Sequence, residues 1–261
     1  MNFKQSPNLK EMLHYEIIGK GTPVVLLHGY LENMKMWAQI KDELSKTHQI
    51  TLLDLPGHGK SKNLAEVHTM ELMAEAVHQT LMELGIENPV FVGHSMGGYV
   101  TLAYAELFPD QIQSFILLNS STLPDSPEKK EQRLKAVETA EKNLDTLIKM
   151  SIPTLFSEKN LENLKPEIEF TKELARETSL QGVTAALKGM RLRPDRSSLL
   201  EEFKEPIGIL MGKYDKAVNP DELKKRIPQK ENISVLELET GHMAHLEAPD
   251  ETLRFIQSLL D

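Results

Sequence analysis

Cysteine is missing from all 261 residues, so the chain has no disulfide, no thiolate nucleophile and no cysteine-built metal site, and it suits a reducing compartment. No apolar run approaches the length of a bilayer span, which excludes membrane insertion. A basic surplus is lacking too. The formal net charge is −9, and no basic cluster is interleaved with aromatics, so nucleic acid and acidic membrane surfaces are disfavoured as partners. Lys4 and Lys10 bracket Pro7 and polar residues rather than the apolar centre of a secretory signal, and a cytoplasmic chain is expected. Neither an H-E-x-x-H pair nor similar ligand spacing occurs, and there is no internal repeat or low-complexity tail.

What is present is ordinary in bulk and specific in detail. At 40% hydrophobic and 26% charged residues, the composition is that of a globular protein with one sizeable core plus an insertion. Leu13 to Ile18 reads as a strand turning at Gly19 to Gly21 into a second, Val24 to Leu27. Ile50 to Leu53, Pro89 to Val92 and Ser114 to Leu118 read as further strands, with helical spacing between them at Trp37, Ile40 and Leu44 and at Met70, Met73, Val77, Leu81 and Leu84. Thr69 caps the second of these helices, which stops at Gly85. The alternation predicts an α/β, doubly wound, mostly parallel sheet. It breaks between Pro124 and Glu205, where charged helical sequence dominates. There Leu134, Val137, Leu144 and Ile148 keep roughly heptad spacing, and Leu180, Val183, Leu187 and Met190 line one side of another helix. Ile207 to Met211 and Ile233 to Leu238 are the last strands, and Pro249 opens a final helix with Leu253, Ile256 and Leu260 inward. The expected organisation is a core of 1–123 and 206–261 with a helical cap, 124–205, roofing a pocket.

Chemistry concentrates at Gly93, His94, Ser95, Met96, Gly97, a G-x-S-x-G run between a strand and an apolar helix. A serine on such a turn has its hydroxyl exposed at the carboxyl edge of the sheet. It is useful only if a base, a group that orients the base and an oxyanion site converge on it. Asp215 follows the strand ending at Met211, and His242 follows the last strand. The order Ser, Asp, His, each past a strand end, selects Ser95, Asp215 and His242 as the catalytic set. Asn119 holds the other acid position, His28 and His94 are read as hydrogen-bonding supports, and His245 is the rival base. One oxyanion donor is expected from the amide of Met96 and another from the loop after the second strand, where His28 and Gly29 precede Tyr30. Gly59, Lys60 and Ser61 imitate the end of a phosphate loop, but Asp54 stands where glycine is needed, so a compact turn is expected instead.

With these pieces assembled, the chain resembles serine hydrolases of the α/β-hydrolase superfamily over nearly its whole length. The carriers are His28-Gly29-Tyr30, the D-x-P-G-H-G-x-S run Asp54 to Ser61, Gly93 to Gly98, Gly212 to Asp215 and Gly241-His242. The resemblance implies a triad of Ser95, Asp215 and His242, oxyanion donors at the amides of Tyr30 and Met96, no cofactor and a small-molecule ester or lactone as partner. It is similar to small carboxylesterases, enol-lactonases and cofactor-free haloperoxidase-like members. Dehalogenases and epoxide hydrolases of the fold carry aspartate where Ser95 stands and are disfavoured. Relatives that cleave carbon–carbon bonds use an arginine, for which Arg191, Arg193 and Arg196 are candidates. A ligand-binding receptor of this fold is the non-enzymatic alternative. The acyl pocket is expected to be apolar and finite, with Met150 and Met190 among its flexible walls.

Overall fold

The computed structural model describes residues 11–260, so Lys4, Pro7 and Lys10 lie outside the described residues. Seven strands are laid side by side in one sheet: β1 (Tyr15–Ile18), β2 (Pro23–Leu27), β3 (Gln49–Leu53), β4 (Val90–His94), β5 (Ser114–Leu118), β6 (Ile207–Gly212) and β7 (Ile233–Leu238). Their spatial order is β1-β3-β2-β4-β5-β6-β7. Every neighbouring pair is parallel except β1 with β3, which runs antiparallel with Tyr15 opposite Leu53 and Ile18 opposite Ile50. The turn at Gly19 to Gly21 leads from β1 to β2 as expected, but the two strands are not neighbours, because β3 lies between them.

The inner strands β4, β5 and β6 are buried at every position, whereas the edge strands β1 and β7 are not. Period-two alternation sends side chains to two separate cores. Val25, Leu27 and Phe91 face one together with α2 (Met70–Glu83) and α3 (Met96–Leu107). Val24, Leu26 and Val92 face the other with α1 (Ala38–Leu44) and α11 (Pro249–Gln257). The Thr69 hydroxyl accepts from the Leu72 amide and caps α2, as its sequence predicts. Between β2 and β3 a short 3-10 turn, Met34–Trp37, leads into α1 and buries Trp37 completely.

Between β5 and β6 the chain makes five helices: α4 (Pro127–Lys142), α5 (Leu144–Ser151), α6 (Lys165–Arg176), α7 (Leu180–Met190) and α8 (Ser198–Glu202), with a 3-10 turn at Ile152–Leu155. The heptad from Leu134 to Ile148 is not one helix. Asn143 ends α4 in an extended conformation and its side chain accepts from the Thr146 amide, capping α5. Leu134 is consequently 40% exposed while Val137 and Ile148 are buried. On α7 Val183, Leu187 and Met190 are buried and Leu180 is on the outer side. This layer is fastened to the sheet's helices by close backbone approach. The Ala185 carbonyl accepts from the His68 amide at 3.0 Å, and a Cβ on Gly189 would meet the His68 carbonyl oxygen at 1.6 Å, so only glycine permits the contact. Two short helices, α9 (Pro220–Lys224) and α10 (Ala244–Glu247), follow β6 and β7. Among the described residues no helix is long and apolar enough to cross a membrane.

Candidate active site

Ser95 stands between β4 and α3 with φ +49° and ψ −113°, a left-handed conformation that lifts its side chain off the strand end. The strain is held by the surroundings. The Ser95 amide donates to the Leu118 carbonyl at 2.9 Å, and the Ser120 hydroxyl donates to the Ser95 carbonyl at 2.8 Å. Two positions on, a Cβ at Gly97 would come within 2.3 Å of the Leu27 carbonyl oxygen, so glycine is what lets α3 start directly against β2.

Loops after β6 and β7 bring the other two predicted residues to the serine. His242 Nε2 lies 2.8 Å from Ser95 Oγ, and His242 Nδ1 lies 2.7 Å from Asp215 Oδ2. Because an ionised carboxylate only accepts, Nδ1 carries the proton and the Nε2 lone pair faces the hydroxyl. Asp215 Oδ1 accepts from the Ala217 and Val218 amides, each at 2.8 Å, and Oδ2 also accepts from Asn119 Nδ2 at 3.2 Å. Burial alone would raise the Asp215 pKa. The facing His242 and the two amides outweigh it and hold the carboxyl below its ordinary value. Asn119, at the other acid position, thus supports Asp215 and donates in addition to the Gly241 carbonyl at 3.0 Å.

His245, the rival base, is buried with no hydrogen-bond partner for either ring nitrogen, against the rings of Trp37 and His94. Burial lowers its pKa to about 3. His28 accepts from the Leu55 amide through Nε2 and donates from Nδ1 to the Gly29 carbonyl, each at 2.8 Å, tying the loop after β2 to the end of β3. Asp54 braces that strand end by accepting from the Met34 and Lys60 amides, each at 2.9 Å, which is the compact turn expected of Asp54 to Ser61.

A residue with no sequence signal of its own links these parts. Glu32 Oε2 accepts from the Gly29 amide at 2.6 Å and from His94 Nδ1 at 2.9 Å, while His94 Nε2 donates to the His242 carbonyl at 3.0 Å. Both His94 nitrogens face acceptors, so the ring is an imidazolium. Burial works against that charge, but Glu32 overrides it and raises the pKa. One buried ion pair therefore spans from the loop holding Tyr30 to the backbone of His242. Among the described residues no oxygen accepts from the Tyr30 or Met96 amide.

Above Ser95 and His242 is a cavity of about 150 Å³ walled by Tyr30, Tyr99, Leu155, Met190 and Val218, and also by Lys129 and Arg133 of α4. The wall is not wholly apolar. Met190 lines it as expected, but Met150 is 66% exposed and does not. Of the three candidate arginines, Arg196 pairs with Glu71 and Glu106 and Arg191 lines neither this cavity nor its neighbour. Arg193 stacks over Tyr99, 4.0 Å from the ring centre, in an adjoining cavity of about 560 Å³. Among the described residues no cluster of three or more histidine, aspartate and glutamate side chains is arranged to hold a metal.

The chain belongs to the α/β-hydrolase family, whose model, described as the alpha/beta hydrolase fold, matches residues 22–147. A thermophilic esterase from Thermogutta terrifontis, solved with malate bound, is 32% identical and superimposes with a TM-score of 0.88 over 95% of this chain and 92% of its own. The enol-lactonase of Burkholderia xenovorans LB400 shares the fold at 24% identity and TM-score 0.87, covering 95% of this chain and 96% of its own. Among curated proteins, the dihydrolipoyllysine-residue acetyltransferase component of the Pseudomonas putida acetoin cleaving system is 30% identical over 91% of this chain. The chain spans 63% of that relative's length.

Proposed function

We propose that this protein is a serine hydrolase that cleaves carboxylic esters or lactones of short to medium acyl chain. The observation that carries the reading is the unbroken hydrogen-bonded line from Ser95 Oγ through His242 to Asp215. His242 Nε2 takes the hydroxyl proton as Oγ attacks the substrate carbonyl, and the same proton passes to the departing alkoxide as the carbon–oxygen bond breaks. Water then repeats the sequence on the acyl-serine and releases the acid. Asp215 remains ionised, holding the ring in one tautomer and stabilising its charged form. The Tyr30 and Met96 amides stabilise the oxyanion of each tetrahedral intermediate.

Residues 124–205 form a helical cap over the core of 1–123 and 206–261, and the cap contributes to the reaction by closing the cavity against water. The Leu155 carbonyl accepts from the His242 amide at 2.6 Å, which ties the cap to the base loop. The relatives' names, an esterase and an enol-lactonase, agree with acyl chemistry at this site. The test is an organophosphonate that phosphonylates activated serines. Stoichiometric labelling of Ser95 with loss of ester hydrolysis, and no labelling of Ser95→Ala, is the expected result. A label mapped elsewhere, or ester turnover surviving in Ser95→Ala, overturns the reading.

A further inference from the structure

The cavity above Ser95 carries more positive charge than its structure uses. Lys129 and Arg133 sit four residues apart on α4, so their side chains leave the same face of the helix and both reach the cavity that holds Ser95 and His242. A single buried carboxylate, Asp125, serves two guanidinium groups. Arg133 Nε donates to it at short range, Arg133 Nη2 at 3.2 Å, and Arg193 Nη1 at 2.7 Å. Lys129 has no ion pair among the described residues. It is half-buried at the junction of the inner and outer cavities, since it lines both. Burial first, then Arg133 and Arg193, lower its pKa and outweigh the opposing pull of Asp125 and Asp215, neither of which pairs with it directly. Tyr30 lines the inner cavity as a residue, but its hydroxyl is buried out of reach of it.

A half-buried lysine with no counter-charge is costly unless something else supplies the charge. Asp215 is committed to His242 and Glu32 to His94, and of the further carboxylates lining the outer cavity Glu222 pairs with Lys225 and Asp195 accepts from the Ser197 amide. A neutral ester leaves Lys129 without an ion-pair partner, whereas a carboxylate in the cavity supplies one, with Arg133 adding its charge at the same wall. The geometry points to a carboxylate-binding subsite formed by Lys129 and Arg133 in the cavity that holds Ser95, making half-esters of dicarboxylic acids, or lactones bearing a carboxylate, the preferred substrates. This rests on the serine-hydrolase reading above and specifies its substrate class. The inner cavity limits the acyl part to a short chain, which keeps the free carboxylate close to the scissile carbonyl, while the leaving group extends into the outer cavity.

The experiment compares monoethyl glutarate, an anion near neutral pH, with diethyl glutarate, its neutral counterpart, by ethanol release. Wild type is expected to favour the monoanion at least tenfold in kcat/KM, chiefly through KM, with the preference shrinking as salt is raised. Lys129→Met should bring the ratio of the two substrates to about one or below, Lys129→Glu should invert it, and Lys129→Arg should restore most of it. Lys129 is the primary variant because it holds no internal ion pair, whereas Arg133 also fixes Asp125. Cleavage of both esters with no preference for the monoanion, or a preference that Lys129→Met leaves intact, overturns the subsite while sparing the serine mechanism. Failure to cleave either ester, together with no labelling of Ser95, overturns both.

Discussion

At the scale of single residues, the proposed acid and base could be picked out as candidates because each occupies a place after a strand, and chain order alone singles out Asp215 among the aspartates. Asp215→Asn leaves the hydrogen bonds from Ala217 and Val218 possible but reverses the tautomer preference of His242. It should lower kcat by about four orders of magnitude with little change in folding. Asp221→Asn, on the exposed first turn of α9, is the control, and greater damage there would refute the assignment. Glu32 was not legible. Nothing in Gly29, Tyr30, Leu31, Glu32 announces that the carboxylate turns back onto its own loop and onto His94, because those contacts exist only once β2 and β4 lie side by side. Glu32→Gln should lower kcat by ten- to a hundredfold with a smaller effect on KM, because the Gly29 loop and the His242 carbonyl lose a shared anchor rather than a substrate contact. A change confined to KM would mean that Glu32 meets the substrate instead.

At the scale of elements, all seven strands could be read from the sequence because most are buried on both faces and appear as unbroken apolar runs. Their order could not. The position of β3 between β1 and β2 is decided by pairing across the sheet, which leaves no periodic trace. The helices between β5 and β6 were harder for a related reason. Asn143 was hidden inside an apparent heptad, and α6 places Ile168, Leu174 and Ala175 inward among charges that mask the pattern. On α4 the residues that reach the cavity are two cations among many, and which of them turn inward is fixed by how α4 packs on α7. That packing gives α7 its own test. Gly189→Ala places a methyl group on the His68 backbone, so α7 must shift and carry Met190 with it. A loss of about 1 to 3 kcal/mol in denaturant unfolding, accompanied by a raised KM, is expected. Unchanged stability would show that α7 is not pressed against the His68 backbone.

At the scale of the whole molecule, buried histidines govern how the fold meets acid. Burial lowers the pKa of His245 to about 3, of His58 to about 3 and of His68 to about 4, against an ordinary value of 6.5. Above pH 6.5 these rings are neutral in both folded and unfolded chains and add no pH dependence. Below it the unfolded chain takes up protons that the folded one refuses, so stability falls with pH until the folded values are reached. His94 opposes this, because its raised pKa favours the folded state at low pH, but it is one ring against five, since burial also lowers the pKa of His28 and His78. Glu32 joins the loss further down, between its ordinary 4.5 and the value of about 2 that His94 enforces against burial. Stability should therefore decline from about pH 6.5 downward, well before carboxylates alone would unfold the chain. His245 isolates one contribution, since neither of its ring nitrogens has a hydrogen-bond partner to lose and it borders a cavity of about 330 Å³ that can take a slightly larger ring. His245→Phe should fold, should retain ester hydrolysis, and should flatten the fall of unfolding free energy between pH 6 and 4 by about 1 kcal/mol per pH unit, the loss of one proton taken up on unfolding. Denaturant titrations at several pH values measure the slope directly. An unchanged slope in the variant would mean that His245 already accepts its proton in the folded protein, and that the acid sensitivity originates at other sites.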